Sequence, residues 1–263
     1  MRLLGLRLGG ARRPEPGPEA SRTEFSLRQS LERLRDNGFR PQTIFDIGVA
    51  TGTTGLYKVF PGARYMLVDP LEESEPFMKS ICARVPLARY VVAAAMDQPG
   101  ETSIAVHPGL SGSGALLKGD FPHRPVKAVT LDQLIEEHQL EGPFLVKVDV
   151  QGSELQVLDG LQAHLDQAEV IVLEASLWAD RKKWGAPTFA DIIQYMARRR
   201  FVLYDLASIG YRQRDRAIAE MDLVFVRFDH PIRRHKGHRS PDAVADLVEH
   251  KRGKFADPNK PNL

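Results

Sequence analysis

Acids at the ends of short apolar runs stand out along this chain, because a carboxylate is costly to bury without partners. Asp46 closes the run Thr43-Ile44-Phe45 and opens onto Gly48-Val49-Ala50-Thr51-Gly52. Asp69 closes a second run, 21 residues after Gly48, and Asp97 follows a third. Asp149 and Glu174 end a fourth and a fifth. Glycines at 48 and 52 let the backbone turn sharply and come close to a ligand, where a Cβ would clash. A carboxylate in the place of Asp69 can accept hydrogen bonds from both hydroxyls of a ribose. Asp97 would then meet an adenine amino group. The spacing fits the holding of a nucleoside.

Two nucleoside ligands compete for such a loop. A nicotinamide dinucleotide goes with G-x-G-x-x-G, which seats a pyrophosphate on a helix N-terminus. This chain has G-x-x-x-G-x-x-G instead, with the acid Asp46 beside it. An acid there repels a pyrophosphate and suits the cationic sulfonium and amino group of S-adenosylmethionine. The expected cofactor is therefore S-adenosylmethionine, bound by Asp46, Gly48, Gly52, Asp69 and Asp97, with an NAD(P)-binding oxidoreductase as the alternative. Plainer readings stay open. Gly48 and Gly52 can simply end a strand and start a helix, Asp46 can cap that turn, and Asp69 can cap a helix at Pro70. Asp97 precedes Gln98-Pro99-Gly100, ordinary turn chemistry.

The elements that must position these residues follow from periodicity. Leu27, Leu31 and Leu34 form one stripe of a helix over 26–37, and Asn37-Gly38 stops it. Strands are expected at 43–47, 63–68, 90–95, 144–148 and 170–173, with 201–203 and 221–228 closing the chain. Helices fall between them at 56–60, 73–84, 130–138, 153–158 and 189–200. The stretch 101–127 is rich in glycine and proline, with a strand or two and no helix. Such alternation predicts an α/β fold, Rossmann-like and doubly wound, built on right-handed crossovers. Its sheet should be mostly parallel with an antiparallel edge. Ligands of such sheets sit beyond the carboxyl ends of the strands.

The run LVKVDVQGSELQVLDG, from Leu145 to Gly160, is the most distinctive segment. It resembles the hallmark segment of FkbM-type methyltransferases. So do TIFDIGVATG, YMLVDP, AVTLDQL, VIVLEAS and the closing MDLVFVR, in that order. The resemblance covers roughly residues 26–228. The family's loop usually reads closer to D-x-G-A-N-x-G, where this chain has Val49-Ala50-Thr51, and Asp69 stands where the family often has Glu. The resemblance implies the class I methyltransferase fold and methyl transfer to a hydroxyl of a sugar, polyketide or related metabolite. A non-catalytic binding module that keeps the cofactor pocket is the alternative.

A hydroxyl is a poor nucleophile until deprotonated, so a positioned base is expected. The catalytic candidates are Asp149, Glu174, His107 and His123. Both histidines sit in the irregular segment 100–124, whose length and composition suit a lid over the acceptor. Asp149 with a histidine, His123 ahead of His107, is the expected pair. Glu154 falls in a first helical turn, where it suits the dipole. Ser153 or Gln156 can serve that helix start. Lys147, inside an apolar run, points to a partner carboxylate or snorkels past the sheet.

The rest of the composition bounds the function. The 36 basic and 34 acidic residues leave a net charge of +2, too balanced to argue for nucleic acid. No run approaches the ~20 apolar residues of a membrane span. The one cysteine, Cys82, cannot form an internal disulfide, and no Cys/His spacing suggests a metal. A reducing cytoplasm fits. Three parts are expected: an N-terminal extension 1–25, a methyltransferase domain 26–229, and a basic tail 230–263. The partner is a small-molecule or glycan hydroxyl acceptor, and a homodimer is left open.

Overall fold

The computed structural model describes residues 26–110, 112–115, 121–177 and 186–234. The expected N-terminal extension and the tail from 235 onward lie outside the described residues. Among the described residues ten strands form two sheets. They are β1 (Thr43–Ile47), β2 (Arg64–Asp69), β3 (Ala88–Val92), β4 (Ala94–Ala95) and β5 (Gly100–Ala105). β6 (His123–Val129), β7 (Phe144–Val148), β8 (Ala168–Ser176), β9 (Phe201–Tyr211) and β10 (Ile218–Arg227) follow. The larger sheet has seven strands in the order β3-β2-β1-β7-β8-β10-β9. Its first five are mutually parallel, while β10 runs antiparallel to both neighbours. This is a Rossmann-like doubly wound sheet with an antiparallel edge. The strand order reverses between β1 and β7, the switch point where such sheets bind ligands.

Two helical layers cover the sheet. On one face lie α1 (Leu27–Asp36), α2 (Thr54–Val59) and α3 (Glu75–Arg84), packing Leu31, Leu34, Leu56 and Met78 against Ile44, Leu67 and Val172. On the other lie α4 (Leu131–His138), α5 (Glu154–Asp159) and α6 (Phe189–Arg198), packing Leu134, Val157 and Met196 against Phe45, Val146 and Leu173. Every residue of β1 and β7 is buried, as in a parallel sheet covered on both faces. Helix starts follow their caps. Ser26 accepts from Gln29 N–H before α1, and Thr130 from Gln133 N–H before α4. At α6 Thr188 and Asp191 exchange hydrogen bonds in a capping box.

Alternation along the strands also aims the polar residues. Ile44 belongs to the α1–α3 layer, while Phe45 and Ile47 belong to the α4–α6 layer. Asp46 therefore faces α2, and Lys147, its register partner on β7, faces the same way.

Three boundaries differ from the sequence reading. The strand expected at 90–95 divides: β3 pairs with β2, and then β4 leaves for β6 in a three-stranded sheet, β4-β6-β5. The strand expected at 201–203 runs on to Tyr211. Its polar, glycine-containing second half forms a hairpin with β10, with register shifts and Ser208 at φ 49°. Pairing overrides propensity there. β8 likewise extends past Glu174 to Ser176, held by β10.

Candidate active site

The carboxyl ends of β1, β2, β7 and β8 open onto a cavity of about 660 Å³, in the range of small-ligand sites. Gly48, at φ 78°, sits at its floor. Its N–H donates to Val68 O at 2.9 Å, and a Cβ there would lie 1.8 Å from the Asp149 carbonyl oxygen. Only glycine lets the loops after β1 and β7 touch. Asp69, 4% exposed, lines the wall next to that loop. Its Oδ2 accepts from Ala50 N–H at 2.8 Å and its Oδ1 from Leu71 N–H at 2.9 Å. Each carboxylate oxygen has a second lone pair left for a ligand hydroxyl.

Asp46 takes a different place from the one its position suggests. It is fully buried and absent from the cavity wall. Thr53 Oγ1 donates to it at 2.9 Å, the Tyr57 hydroxyl donates to its other oxygen, and Lys147 Nζ lies 3.9 Å away. Burial raises its pKa, with Lys147 and the hydroxyl donors opposing. The residue braces the glycine loop from beneath. Gly52, at φ 107°, also lies off the wall, where a Cβ would meet Ile81 Cδ1 at 2.8 Å. Asp97 is exposed beyond β4 and does not line the cavity.

The two histidines separate. His123 is exposed at the start of β6, 3.4 Å from Ser103 Oγ and off the cavity wall. His107 lines the cavity, with its ring tilted against Phe121 at 5.5 Å between centroids. Its Nδ1 accepts from Gly109 N–H at 3.0 Å. In the neutral ring that bond assigns the proton to Nε2. His107 thus offers the cavity a donor.

Asp149 and Glu174 come together on the wall. Lys147 Nζ donates to Asp149 Oδ2 at 3.0 Å, and the Gln151 amide donates to Asp149 Oδ1 at 3.2 Å and to Glu174 Oε2 at 2.7 Å. Burial first, and then the charge of Asp149, push the Glu174 carboxyl up to about 9. Burial pulls the Lys147 ammonium down, but Asp149, Asp46 and Asp222 more than offset it, so its pKa lies above the ordinary value. Among the described residues, no group of three His, Cys, Asp or Glu side chains is arranged to hold a metal ion.

Several participants escaped the sequence reading. Gln151 lies inside the quoted run, at φ 57°, yet nothing in its type marks it as the link between two acids. Tyr57 and Thr53 reach Asp46 only because α2 folds back over β1. Glu73 and Glu220 also line the cavity, and no strand end announced them. Glu154 departs from a simple dipole role. It is 3% exposed, accepts from Gly152 N–H at 2.8 Å, and is pushed up to about 6 by burial. Ser153 makes no capping hydrogen bond.

The family described as the methyltransferase FkbM domain matches residues 46–203, from Asp46 through the acid pair into β9. The chain belongs to the FkbM methyltransferase family. No curated protein matches it. Among solved structures, the precorrin-6y C5,15-methyltransferase of Geobacter metallireducens shares 9% identity over 76% of this chain and 86% of its own, at a TM-score of 0.42. The N-methyltransferase NodS of Bradyrhizobium japonicum, solved with S-adenosyl-L-homocysteine, shares 12% identity over 76% of this chain and 85% of its own, at 0.44. The FkbM match spans the cavity floor, both acids and Gln151, while the antiparallel strand β10 with Glu220 lies beyond it. Among the described residues no helix is long and apolar enough to cross a membrane.

Proposed function

We propose that this FkbM-family chain binds S-adenosylmethionine in the cavity and methylates a hydroxyl of a sugar or natural-product acceptor. The observation that carries the reading is the placement of Asp69 and Asp149 on one cavity wall, on either side of the Gly48 loop. The residues fit the cofactor. Asp69 keeps lone pairs for ribose hydroxyls, Gly48 lets the loops after β1 and β7 close together at the cavity floor, and the acids suit a cation. When bound, the cofactor supplies a methyl group already activated on sulfonium.

What the chain must add is alignment, exclusion of water and a proton acceptor. With the cofactor bound, the methyl group would pass to the acceptor oxygen, and the chain's own part would be to take that oxygen's proton at a base. Asp149 is that base in this reading. Glu174, pushed up to about 9 by burial and then by Asp149, holds its proton at neutral pH and hydrogen-bonds with Asp149, so it is not the base. His107 presents Nε2–H and helps orient the acceptor. His123, on the exposed strand, leaves the expected pair.

Calorimetry with S-adenosylhomocysteine and NAD(P), followed by turnover on a panel of hydroxylated and amine acceptors, tests the reading. Binding of S-adenosylhomocysteine and not of NAD(P) is expected, together with methylation of a hydroxyl acceptor. Asp149→Asn should lower turnover by more than roughly a hundredfold, with cofactor binding little changed. Tight NAD(P) binding, methylation of amines alone, or full activity in Asp149→Asn would overturn it.

A further inference from the structure

Lys147 is a lysine at 5% exposure in the middle of a parallel sheet, a position that alternation would fill with an apolar residue. Its neighbours explain its presence. Nζ lies 3.0 Å from Asp149 Oδ2 and 3.9 Å from Asp46 Oδ1, and Asp222 on β10 acts on it through the same face. Asp46 is held by Thr53 and Tyr57 as well, and Asp149 is the acid closest to the ammonium. Its further side-chain partners are Gln151, on Oδ1, and Glu174. The two carboxylate oxygens are thus tied in different directions, Oδ2 inward to the buried ammonium and Oδ1 to an amide on the cavity wall.

We propose that Lys147 is the positioning residue for Asp149, clamping Oδ2 so that Oδ1 is the oxygen offered to the acceptor hydroxyl. The inference rests on the reading above for what Asp149 does, but the clamp itself is independent of any cofactor. A carboxylate one residue past a strand end, as Asp149 is after Val148, can rotate about two side-chain bonds. Fixing one oxygen removes that freedom before the acceptor arrives. A lysine does this as a point charge on a long stem, reaching from inside the sheet to its edge. The same ammonium balances Asp46 and Asp222, acids whose pKa burial raises and whose charge Lys147 favours.

The test uses the full chain with Lys147→Met, Lys147→Arg, Asp149→Asn and the double variant Lys147→Met/Asp149→Asn. Urea unfolding should show non-additivity of about tenfold in the unfolding constant between the single changes. A pH series supplies a readout that packing alone would not move. The charged groups acting on Lys147 are Asp149 after β7, Asp46 from β1, itself hydrogen-bonded by Tyr57 of α2, and Asp222 from β10. Glu174 of β8 and Glu154 of α5 interact with Asp149, and Glu220 of β10 with Asp222. Without the ammonium, the buried acids favour their neutral forms more strongly in the folded state. The stability gap between wild type and Lys147→Met should then widen as pH rises from about 5 to 8. With an acceptor that is turned over, Lys147→Met should lower kcat by roughly a hundredfold at little-changed KM, Lys147→Arg should restore part, and the double variant should be no slower than Asp149→Asn. Where Lys147→Met does not fold, Lys147→Met/Asp46→Asn, which removes a charge left unpaired, carries the same measurements. Additive stabilities, a gap flat with pH, or full kcat in Lys147→Met would each overturn the clamp. A wild-type protein that binds no S-adenosylhomocysteine and methylates nothing would instead defeat the methyl-transfer reading, while the unfolding cycle would still decide the clamp.

Discussion

Asp69 bonds two backbone amides and still lines the cavity, so its removal separates two roles. If it also accepts ribose hydroxyls, Asp69→Ala loses charge-assisted bonds of about 1.5–3 kcal/mol each and weakens S-adenosylhomocysteine binding at least roughly tenfold. Unchanged affinity by calorimetry would leave it a loop brace alone. Glu174 makes a prediction about pH. Its folded-state pKa, about 9, lies above the ordinary value of 4.5. The folded protein therefore holds a proton that the unfolded chain releases, and the stability this group contributes is full below about 4.5 and is lost as pH rises through about 9. Glu154, pushed up to about 6, adds a loss in the lower part of that window. Urea midpoints should fall between pH 5 and 9, and Glu174→Gln should remove the larger part of that fall. A fall left unchanged in Glu174→Gln would reject the raised pKa. Asp149 and Glu174 were legible as acids at strand ends, but Asp46 looked just as open to a ligand. Only the fold of α2 over β1 encloses it.

At the scale of elements, caps and stripes account for where helices begin. α6 starts at a complete capping box and buries Ile192 and Met196 against the sheet. Thr188→Ala should cost about 1 kcal/mol in urea unfolding, within about 0.5–2. A change near zero would mean that packing alone sets the start of α6. α1 shows the complementary case, with Leu27, Leu31 and Leu34 all buried on the stripe the spacing predicts. The divided strand at 88–95 was less legible, since an apolar run does not say which neighbour it pairs with. Ala93 N–H donates to Asp69 O, and one residue later the chain belongs to another sheet. The long β9–β10 hairpin was hidden for the same reason, because its polar residues are held by pairing with a partner strand.

For the whole molecule, both apolar layers are complete within the described residues, each closed by three helices on the seven-stranded sheet. A chain trimmed to 26–234 is therefore expected to fold as one cooperative unit with coincident transitions by circular dichroism and fluorescence. Two separable transitions, or failure to fold, would show that this span is not a self-sufficient domain. The FkbM match covers the sheet's centre and the switch point, the part of the fold that positions the cavity.

The sequence by itself determined the alternation of elements, the parallel sheet with its antiparallel edge and the family. Those depend on periodicity and on local turn chemistry, which act over a few residues. It also determined which acids end strands. Tertiary structure decided what each acid faces, because that depends on which loop or helix closes over it. Asp46 became a buried brace, Asp69 and Asp149 became wall residues, Asp97 and His123 were left outside, and Lys147 and Gln151 joined the site. A side chain's neighbours across a parallel sheet are a crossover away in sequence, and no spacing along the chain encodes them.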